Sequence, residues 1–307
     1  MHFGPNGSQP PGCARIAFDL VAAATGASPR RSPTPAVQTP PPSAAAPAPV
    51  RNFRDVGGLR TRDGGTVRRG LLYRSTDFAR SGPGVQAVLA ERGIRTIFDL
   101  RTAGERELWP ETGRFPADVS YVVADVLRDA RGPDSNPAQM VALLADPDRA
   151  AELLGAGRAE PMFRTRYRDF VNLTSARQAY HRVLADLSVR GTLPAVVHCT
   201  TGKDRTGWIL AVLLLMLGVA YEDVLDDYLA SNAELEPIRR EFYDQFAGRG
   251  GDPELLKPFM EARPAYLDTG LDEMRRGFGS LEGYVDFGLA IGPLTQRRLA
   301  SIFVEPA

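Results

Sequence analysis

The chain has 307 residues, enough for a sizeable hydrophobic core in one large domain or two smaller ones. Its 37 lysine and arginine residues balance 37 aspartate and glutamate residues, so the charge gives no support for nucleic acid or an anionic membrane as a main partner. Only two cysteines are present, which excludes a small scaffold built on disulfides.

The chain begins with a segment rich in proline and alanine. Residues 1–50 hold 11 of the 25 prolines and show no hydrophobic periodicity. Such a segment buries too little apolar surface to offset the entropy of ordering it. We therefore predict a disordered tail over residues 1–50 and one folded domain over residues 51–307. The alternative for the tail is a polyproline arm that binds a partner through residues 40–42.

Neither a membrane span nor a secretory signal stands out in the sequence. The longest apolar run covers residues 208–220, or 13 residues, whereas a membrane-spanning helix needs about 20. The start of the chain lacks a basic stretch followed by an apolar one. We therefore expect a buried helix at 208–220 and a cytoplasmic protein, with export left open.

Short apolar segments bounded by turn residues or charges predict four strands, at residues 70–75, 95–100, 119–125 and 193–198. Apolar residues at helical spacing predict helices at 84–91, 138–154, 162–172, 175–189 and 205–217. From residue 221 to the end of the sequence we predict further helices, at 221–231, 234–246, 253–261, 265–276, 281–287 and 293–303. This order predicts an α/β fold in which helices flank a central, mostly parallel sheet and also form the C-terminal part.

The loop after the fourth predicted strand carries the candidate chemistry. Residues 198–207 read HCTTGKDRTG. A strand-to-helix loop of an α/β fold binds anions because unpaired N–H groups converge at the positive end of the helix dipole. The same environment favours a thiolate at Cys199, and the planar guanidinium of Arg205 can hold two oxygens of a tetrahedral oxyanion. These two residues predict a nucleophile and an oxyanion clamp on one bound phosphate.

The other residues of the loop fit the same site. Gly202 can adopt a positive φ, so that successive amides point inward. We expect Thr200, Thr201, Gly202, Lys203 and Thr206 to bind the substrate. Thr206 supplies a hydroxyl that can bond the cysteine sulfur as it leaves phosphorus. The alternative is a structural cysteine followed by an arginine that caps a helix.

This motif resembles the signature of the cysteine-dependent protein tyrosine phosphatase superfamily, His-Cys-x5-Arg-Ser/Thr. Further blocks are similar to a bacterial tyrosine-phosphatase family with mycobacterial and Listeria members. They lie at residues 52–58, 69–75, 97–101 with Glu105, 226–232 and 279–284. The resemblance covers nearly all of residues 51–307 and implies a tyrosine-phosphatase-like catalytic domain.

The resemblance implies a phosphomonoester hydrolase that needs neither a metal nor a cofactor. In this family Cys199 would attack phosphorus, Arg205 would stabilise the transition state, and water would hydrolyse the phosphocysteine. Phosphotyrosine is the expected substrate, with phosphoserine, phosphothreonine and phosphoinositides left open as further ones. The alternative is a non-catalytic module that binds phosphate or phosphoinositides on a phosphatase fold.

The general acid has three candidates. The resembling family carries Lys-Asp within the loop, as Lys203 and Asp204 do here, and an aspartate beside the substrate can protonate the tyrosyl oxygen as it leaves. We therefore favour Asp204, with Asp125 and Glu111 as alternatives. Lys203 adds a positive charge of the kind found in phosphatases that act on phosphoinositides. The alternative for Lys203 is an ordinary loop cation.

Residues outside the loop are expected to support it. His198 is expected to hydrogen-bond the backbone and so position Cys199. Asn52 and Arg54 either line the site or form a structural turn before a glycine pair. Asp99 either braces the loop or forms an ion pair.

A lid over the site is the last prediction. Residues 234–263 form an amphipathic segment. In the resembling family, helices at this place in the chain cover the active site. Residues 234–263 are therefore expected either to form a helical lid or to pack beside the domain as a helix pair.

Overall fold

The computed structural model describes residues 50–131, 137, 140 and 144–307. Apart from Val50, the predicted tail lies outside the described residues, and so does part of the predicted helix at 138–154. Val50 itself is buried in one apolar cluster with Tyr73 and Phe78.

Seven strands occur within the described residues. They are β1 Arg54–Asp55, β2 Thr66–Val67, β3 Leu72–Ser75, β4 Thr96–Asp99, β5 Ser120–Val123, β6 Ala195–His198 and β7 Val304–Glu305. Five form one sheet in the order β1-β3-β6-β4-β5, and β2 and β7 form a separate antiparallel pair. In the large sheet β3, β6, β4 and β5 are parallel and β1 is antiparallel to β3. The four predicted strands are confirmed as its parallel part.

Strand β6 lies at the centre of the sheet because its side chains are apolar on both faces. Residues 195–197 are fully buried. His198, at the end of β6, pairs in register with Ser75 of β3 and with Asp99 of β4. The carboxyl ends of three parallel strands therefore meet at one edge, where the loop from Cys199 begins.

Helices pack on both faces of the sheet and form most of the C-terminal part. Those within the described residues are α1 Val85–Glu91, α2 Ala103–Leu108, α3 Pro147–Leu154, α4 Ala159–Asn172, α5 Thr174–Leu187, α6 Asp204–Met216, α7 Tyr221–Gly248, α8 Lys257–Met260, α9 Pro264–Phe278, α10 Leu281–Gly283 and α11 Pro293–Phe303. Val196 packs in one apolar cluster with α1, while Val197 packs in another with α4, α5 and α6. The predicted fold class, a mostly parallel sheet flanked by helices with a helical C-terminal part, is confirmed.

Helix α6 is the core helix of the domain. All ten residues from Arg205 to Leu214 are buried, which agrees with the predicted buried helix and with its apolar character on every side. No helix within the described ranges is long and apolar enough to cross a membrane.

Several predicted helices differ from those observed. The segments 221–231 and 234–246 form one continuous helix, α7, because its buried face continues from Val224 to Phe246 past the internal Pro237. The segment 253–261 is broken into a 3-10 turn, Pro253–Leu255, and the one-turn helix α8. The segment 281–287 begins as α10 and continues as a π turn, Tyr284–Gly288.

Candidate active site

The loop from Cys199 to Lys203 connects β6 to α6, and Cys199 is buried at the end of the strand. Gly202 has a φ of +66°. A Cβ at Gly202 would lie 2.1 Å from the carbonyl oxygen of Ser75. Only glycine therefore fits this position, since both the backbone conformation and the contact with the end of β3 exclude a side chain.

The carbonyl groups of the loop are held by side chains outside it. The bonds are Arg80 Nη2 to Thr200 O at 2.9 Å, Asn52 Nδ2 to Thr201 O at 3.0 Å and Arg74 Nη2 to Gly202 O at 2.6 Å. The N–H of a peptide unit points opposite to its carbonyl, and no described residue accepts a hydrogen bond from the N–H groups of residues 201–203. The N–H groups of residues 201–203 are therefore free to bind an anion.

Arg205, in the first turn of α6, is fixed by Glu105. Its Nη1 and Nη2 donate to the two carboxylate oxygens of Glu105 at 2.7 Å each. Nη1 also donates to Leu100 O at 3.3 Å, and Nη2 lies 3.4 Å from the Thr200 hydroxyl. Nε makes no hydrogen bond to any residue of the described part of the chain. Nε and Nη2 therefore form the edge of the guanidinium that can bind two phosphate oxygens.

Glu105 is a site residue that the sequence analysis placed only in a family block. It is fully buried. Its carboxylate accepts hydrogen bonds from the Thr102 N–H at 2.8 Å and from the Thr102 hydroxyl at 2.9 Å, and the Thr200 hydroxyl also donates to it. Burial would raise the pKa of Glu105, but Arg205 and these donors lower it to about 2. Glu105 is therefore a carboxylate that orients Arg205.

A local signal could have identified Glu105. Thr102 and Glu105 form a capping box at the start of α2, in which the Thr102 hydroxyl accepts from the Glu105 N–H. A threonine followed three residues later by glutamate is the sequence pattern of such a box. This pattern predicts the helix, which the sequence analysis missed, but it does not by itself predict that Glu105 contacts Arg205.

Lys203 and Asp204 contact each other at the start of α6. Lys203 Nζ lies 2.7 Å from Asp204 Oδ1. The ammonium also donates to the carbonyl oxygens of Phe259 at 3.5 Å and Glu261 at 3.3 Å, and Lys203 is only 2% exposed. The segment around α8 therefore covers this side of the loop and satisfies the ammonium.

The two other general-acid candidates lie in different surroundings. Asp125, just after β5, accepts backbone hydrogen bonds from Ala103 and Leu127 at 3.1 Å each, and burial raises its pKa. Glu111 accepts a hydrogen bond from the Phe78 N–H at 2.6 Å and is 4% exposed. Burial also raises the pKa of Glu111. Asp204 differs from both because it is the first residue of α6, directly after the loop.

Behind the loop, His198 contacts the backbone that carries Cys199. His198 Nδ1 lies 3.3 Å from the carbonyl oxygen of Cys199, and since that oxygen can only accept, Nδ1 is the donor. His198 Nε2 lies 3.9 Å from Asp99 Oδ1 and 3.6 Å from Glu111 Oε2. The sequence predicted a hydrogen bond from His198 to the backbone, and the structure has one to the carbonyl of Cys199.

The ligand atoms of Asp99, Glu111 and His198 lie within 4.8 Å of one another and are of types that metals bind. Arg101 already occupies this cluster, with Nη2 2.8 Å from Asp99 and 2.9 Å from Glu111. Burial opposes ionisation of Asp99, but His198 and Arg101 together lower its pKa. The guanidinium compensates carboxylate charge, so the cluster is an ion-pair network at the strand ends.

Asn52 and Arg54 lie beside the loop, on the side of β1. Asn52 is buried with a φ of +51° and binds the loop directly. Arg54 donates to the Asn52 side chain and pairs with Asp227 at 3.3 Å, while Arg74 pairs with the same carboxylate at 2.7 Å. Burial and the neighbouring Arg74 lower the pKa of Arg54 to about 10. These residues connect the loop to α7.

The hydroxyl of Thr206 is buried and has no hydrogen-bond partner within the described ranges. Thr206 lies in the first turn of α6, seven residues after Cys199 in the chain. A buried hydroxyl without a partner costs free energy. This hydroxyl is therefore available to a ligand or to the cysteine sulfur.

Comparisons with known proteins agree with this geometry. A model of the tyrosine phosphatase family matches residues 47–305. A proposed tyrosine-protein phosphatase from Cupriavidus necator is 32% identical over 250 residues, covering 79% of this chain and 82% of that protein. The triple specificity protein phosphatase PtpB of Mycobacterium tuberculosis is 30% identical over 270 residues, covering 80% of this chain and 95% of its own. The family match includes the loop and every residue that contacts it.

Proposed function

This chain belongs to the tyrosine phosphatase family, and from that premise we propose that residues 51–307 are a catalytic domain that hydrolyses phosphotyrosine through Cys199. One observation carries the proposal. The carbonyl groups of residues 200–202 are bound from outside the loop, so its free amides face the place where Cys199 and Arg205 meet a phosphate. A phosphatase needs this arrangement because the transferred phosphoryl group carries negative charge throughout the reaction.

The first step forms a bond between the Cys199 sulfur and phosphorus and breaks the bond from phosphorus to the tyrosyl oxygen. Arg205 and the loop amides hold the three non-bridging oxygens. Asp204 donates its proton to the departing tyrosyl oxygen, which leaves as a neutral phenol. Removing negative charge from the leaving group lowers the barrier, and the products are phosphocysteine and tyrosine.

The second step hydrolyses the phosphocysteine. Asp204, now ionised, takes a proton from water as the water oxygen attacks phosphorus. The bond from phosphorus to sulfur breaks, and the Thr206 hydroxyl donates to the departing thiolate. Phosphate is released and both Cys199 and Asp204 return to their starting protonation states.

Phosphotyrosine is the substrate that this proposal puts first. Lys203 could neutralise an additional phosphate of a phosphoinositide, but its ammonium is bound to Asp204 and to two carbonyl groups near α8. An additional phosphate would have to displace the segment 253–262 to reach it. We therefore propose that this part of residues 234–263 acts as a lid, and that phosphoinositides are weaker substrates.

The test is release of inorganic phosphate, measured with excess EDTA, from a phosphotyrosyl peptide, a phosphoseryl peptide and a phosphoinositide. The wild type should release phosphate fastest from the phosphotyrosyl peptide, and Cys199→Ser should release none from any of them. Binding of these compounds without release of phosphate by the wild type would favour a non-catalytic phosphate-binding module instead.

A further inference from the structure

A buried pair of tyrosines connects Asp204 to the helices behind the loop. The hydroxyl of Tyr167, on α4, donates to Asp204 Oδ1 at 2.9 Å, and its oxygen lies 2.6 Å from the hydroxyl of Tyr228, on α7. We propose that Tyr167 is a positioning residue that holds Asp204 Oδ1, so that Oδ2 carries the proton to the leaving group. This inference rests on the proposed function.

The direction of the hydrogen bonds follows from the groups involved. Oδ1 carries no proton whether Asp204 is ionised or protonated on Oδ2, so it only accepts. The Tyr167 proton therefore points to Asp204 and the Tyr167 oxygen accepts from Tyr228. This chain of donors runs from Tyr228 on α7 through Tyr167 to the candidate general acid.

Two donors converge on one oxygen of the carboxylate. Lys203 Nζ lies 2.7 Å from Asp204 Oδ1, the oxygen that also accepts from Tyr167. Oδ2 makes no hydrogen bond to any residue in the described part of the chain. The proton that the first step needs therefore has one available position, which is Oδ2. Fixing Oδ1 from two directions orients Oδ2, since a carboxylate is planar and rigid.

Packing holds the tyrosine pair in place. Tyr167 is fully buried and Tyr228 is 1% exposed. A Cβ at Gly207 would lie 2.8 Å from Tyr228 Cδ2, so the absence of a side chain on α6 lets the ring approach the helix start. Burial, and then the charge of Asp204, raise the pKa of both tyrosines well above the usual value. Both hydroxyls therefore remain protonated donors.

Within the described residues, the side chains that bond Asp204 are a phenol and an ammonium, and neither is a second acid. The charged and polar groups near Asp204 include Lys203 and Arg205 from its own segment, Tyr167 from α4, Tyr228 from α7, Tyr180 from α5 and Tyr266 from α9. The two cations on this list come from the loop and its helix, and the groups from the other helices are all neutral phenols. Tyr167 is the only phenol on it that bonds the carboxylate directly.

The test measures kcat/KM of the variant Tyr167→Phe on two substrates. This substitution keeps the ring and removes only the hydroxyl. We expect kcat/KM on a phosphotyrosyl peptide to fall about tenfold, because the hydrogen bond that orients the Asp204 carboxyl group is lost. On p-nitrophenyl phosphate, whose leaving group needs less protonation, the loss should be below about threefold. Tyr228→Phe leaves the bond of Tyr167 to Asp204 intact. Its loss of kcat/KM should also be larger on the phosphotyrosyl peptide, but the difference between the two substrates should be smaller than in Tyr167→Phe.

Tyr284→Phe is the matched control. Tyr284 is also fully buried, and its hydroxyl accepts from Trp208 Nε1 at 3.3 Å. Its substitution should leave kcat/KM for both substrates within about twofold of the wild type.

Equal losses on the two substrates in Tyr167→Phe, or no loss on either, would overturn the positioning role. Failure of the proposed function is distinguishable from this result. In that case the wild type itself would not hydrolyse phosphotyrosine, or Asp204→Asn would lack the difference between substrates. The third case is a wild type that hydrolyses phosphotyrosine and an Asp204→Asn that loses mainly this activity, while Tyr167→Phe affects both substrates equally. This result would overturn the role of Tyr167 and leave the proposed function in place.

Discussion

Glu105 binds both terminal nitrogens of Arg205, with two N···O distances of 2.7 Å. Burial would lower the pKa of Arg205, but Glu105 and Cys199 raise it above its usual value. The guanidinium is therefore oriented before any substrate arrives, so the cost of ordering it is met during folding. A preorganised cation stabilises a transition state more than a mobile one does, because it does not have to reorganise during the reaction.

The first prediction concerns Glu105→Gln, which keeps the size of the side chain and removes its charge. Breaking a buried ion pair leaves Arg205 uncompensated, so the free energy of unfolding at neutral pH should fall by about 3–5 kcal/mol. Urea denaturation of the wild type and the variant measures this difference. Glu236→Gln is the control, since Glu236 pairs with Arg240 on the surface. This substitution should lower the free energy of unfolding by less than about 1 kcal/mol.

The same pair predicts a dependence on pH. The pKa of Glu105 is about 2 in the folded protein, below its ordinary value of 4.5. A lowered pKa contributes stability that is complete above the unfolded value and is lost as the pH falls through the folded value. The difference between wild type and Glu105→Gln should therefore be constant above about pH 5 and shrink between about pH 4.5 and 2. A difference that grows on acidification would contradict the assignment of Glu105 as a buried carboxylate.

The second prediction concerns the shape of the loop. Gly202→Ala places a Cβ against the carbonyl of Ser75 at a φ of +66°, so the loop has to move. A displacement of about 1 Å at a catalytic group costs roughly 100-fold in rate, and we expect at least that loss in phosphatase activity. Gly70→Ala is the control, because Gly70 also has a positive φ of +78° but its Cβ would meet open space. It should lose about 1 kcal/mol of stability and little activity.

The third prediction separates the candidate general acids. Asp204→Asn should lower kcat/KM on a phosphotyrosyl peptide by roughly 10²–10⁴-fold and should affect p-nitrophenyl phosphate much less. Asp125→Asn introduces the same change in a carboxylate whose oxygens accept backbone hydrogen bonds, and should reduce the rates on both substrates equally. If the selective loss appeared in Asp125→Asn instead, the acid would be Asp125.

The central sheet could be predicted from sequence because its parallel strands are short apolar runs bounded by turn residues or charges. Residues 195–197 are buried on both faces, and the pattern indicates this directly. Strands β1, β2 and β7 have two residues each and were not predicted. The pairing of β2 with β7 joins Thr66 to Glu305, and no local signal carries a contact between such distant positions.

The candidate site, like the sheet, could be predicted from the sequence only in part. The motif at 198–207 predicts the loop and its positive φ at Gly202, which the structure has. The contacts of Arg80 and Arg74 with the loop carbonyls depend on how separate parts of the chain pack, and the sequence does not indicate them. The contact of Tyr167 with Asp204 is of the same kind, since a tyrosine at an apolar helical position predicts only burial.

The most direct test of the account is to identify the residue that carries the phosphoryl group during turnover. The wild type is mixed with a phosphotyrosyl peptide, quenched in acid within the first turnovers, digested and analysed by mass spectrometry. A phosphoryl group is expected on the peptide that contains Cys199, and none in Cys199→Ser treated in the same way. Steady release of phosphate by Cys199→Ser, or a phosphoryl group on another residue of the wild type, would contradict it.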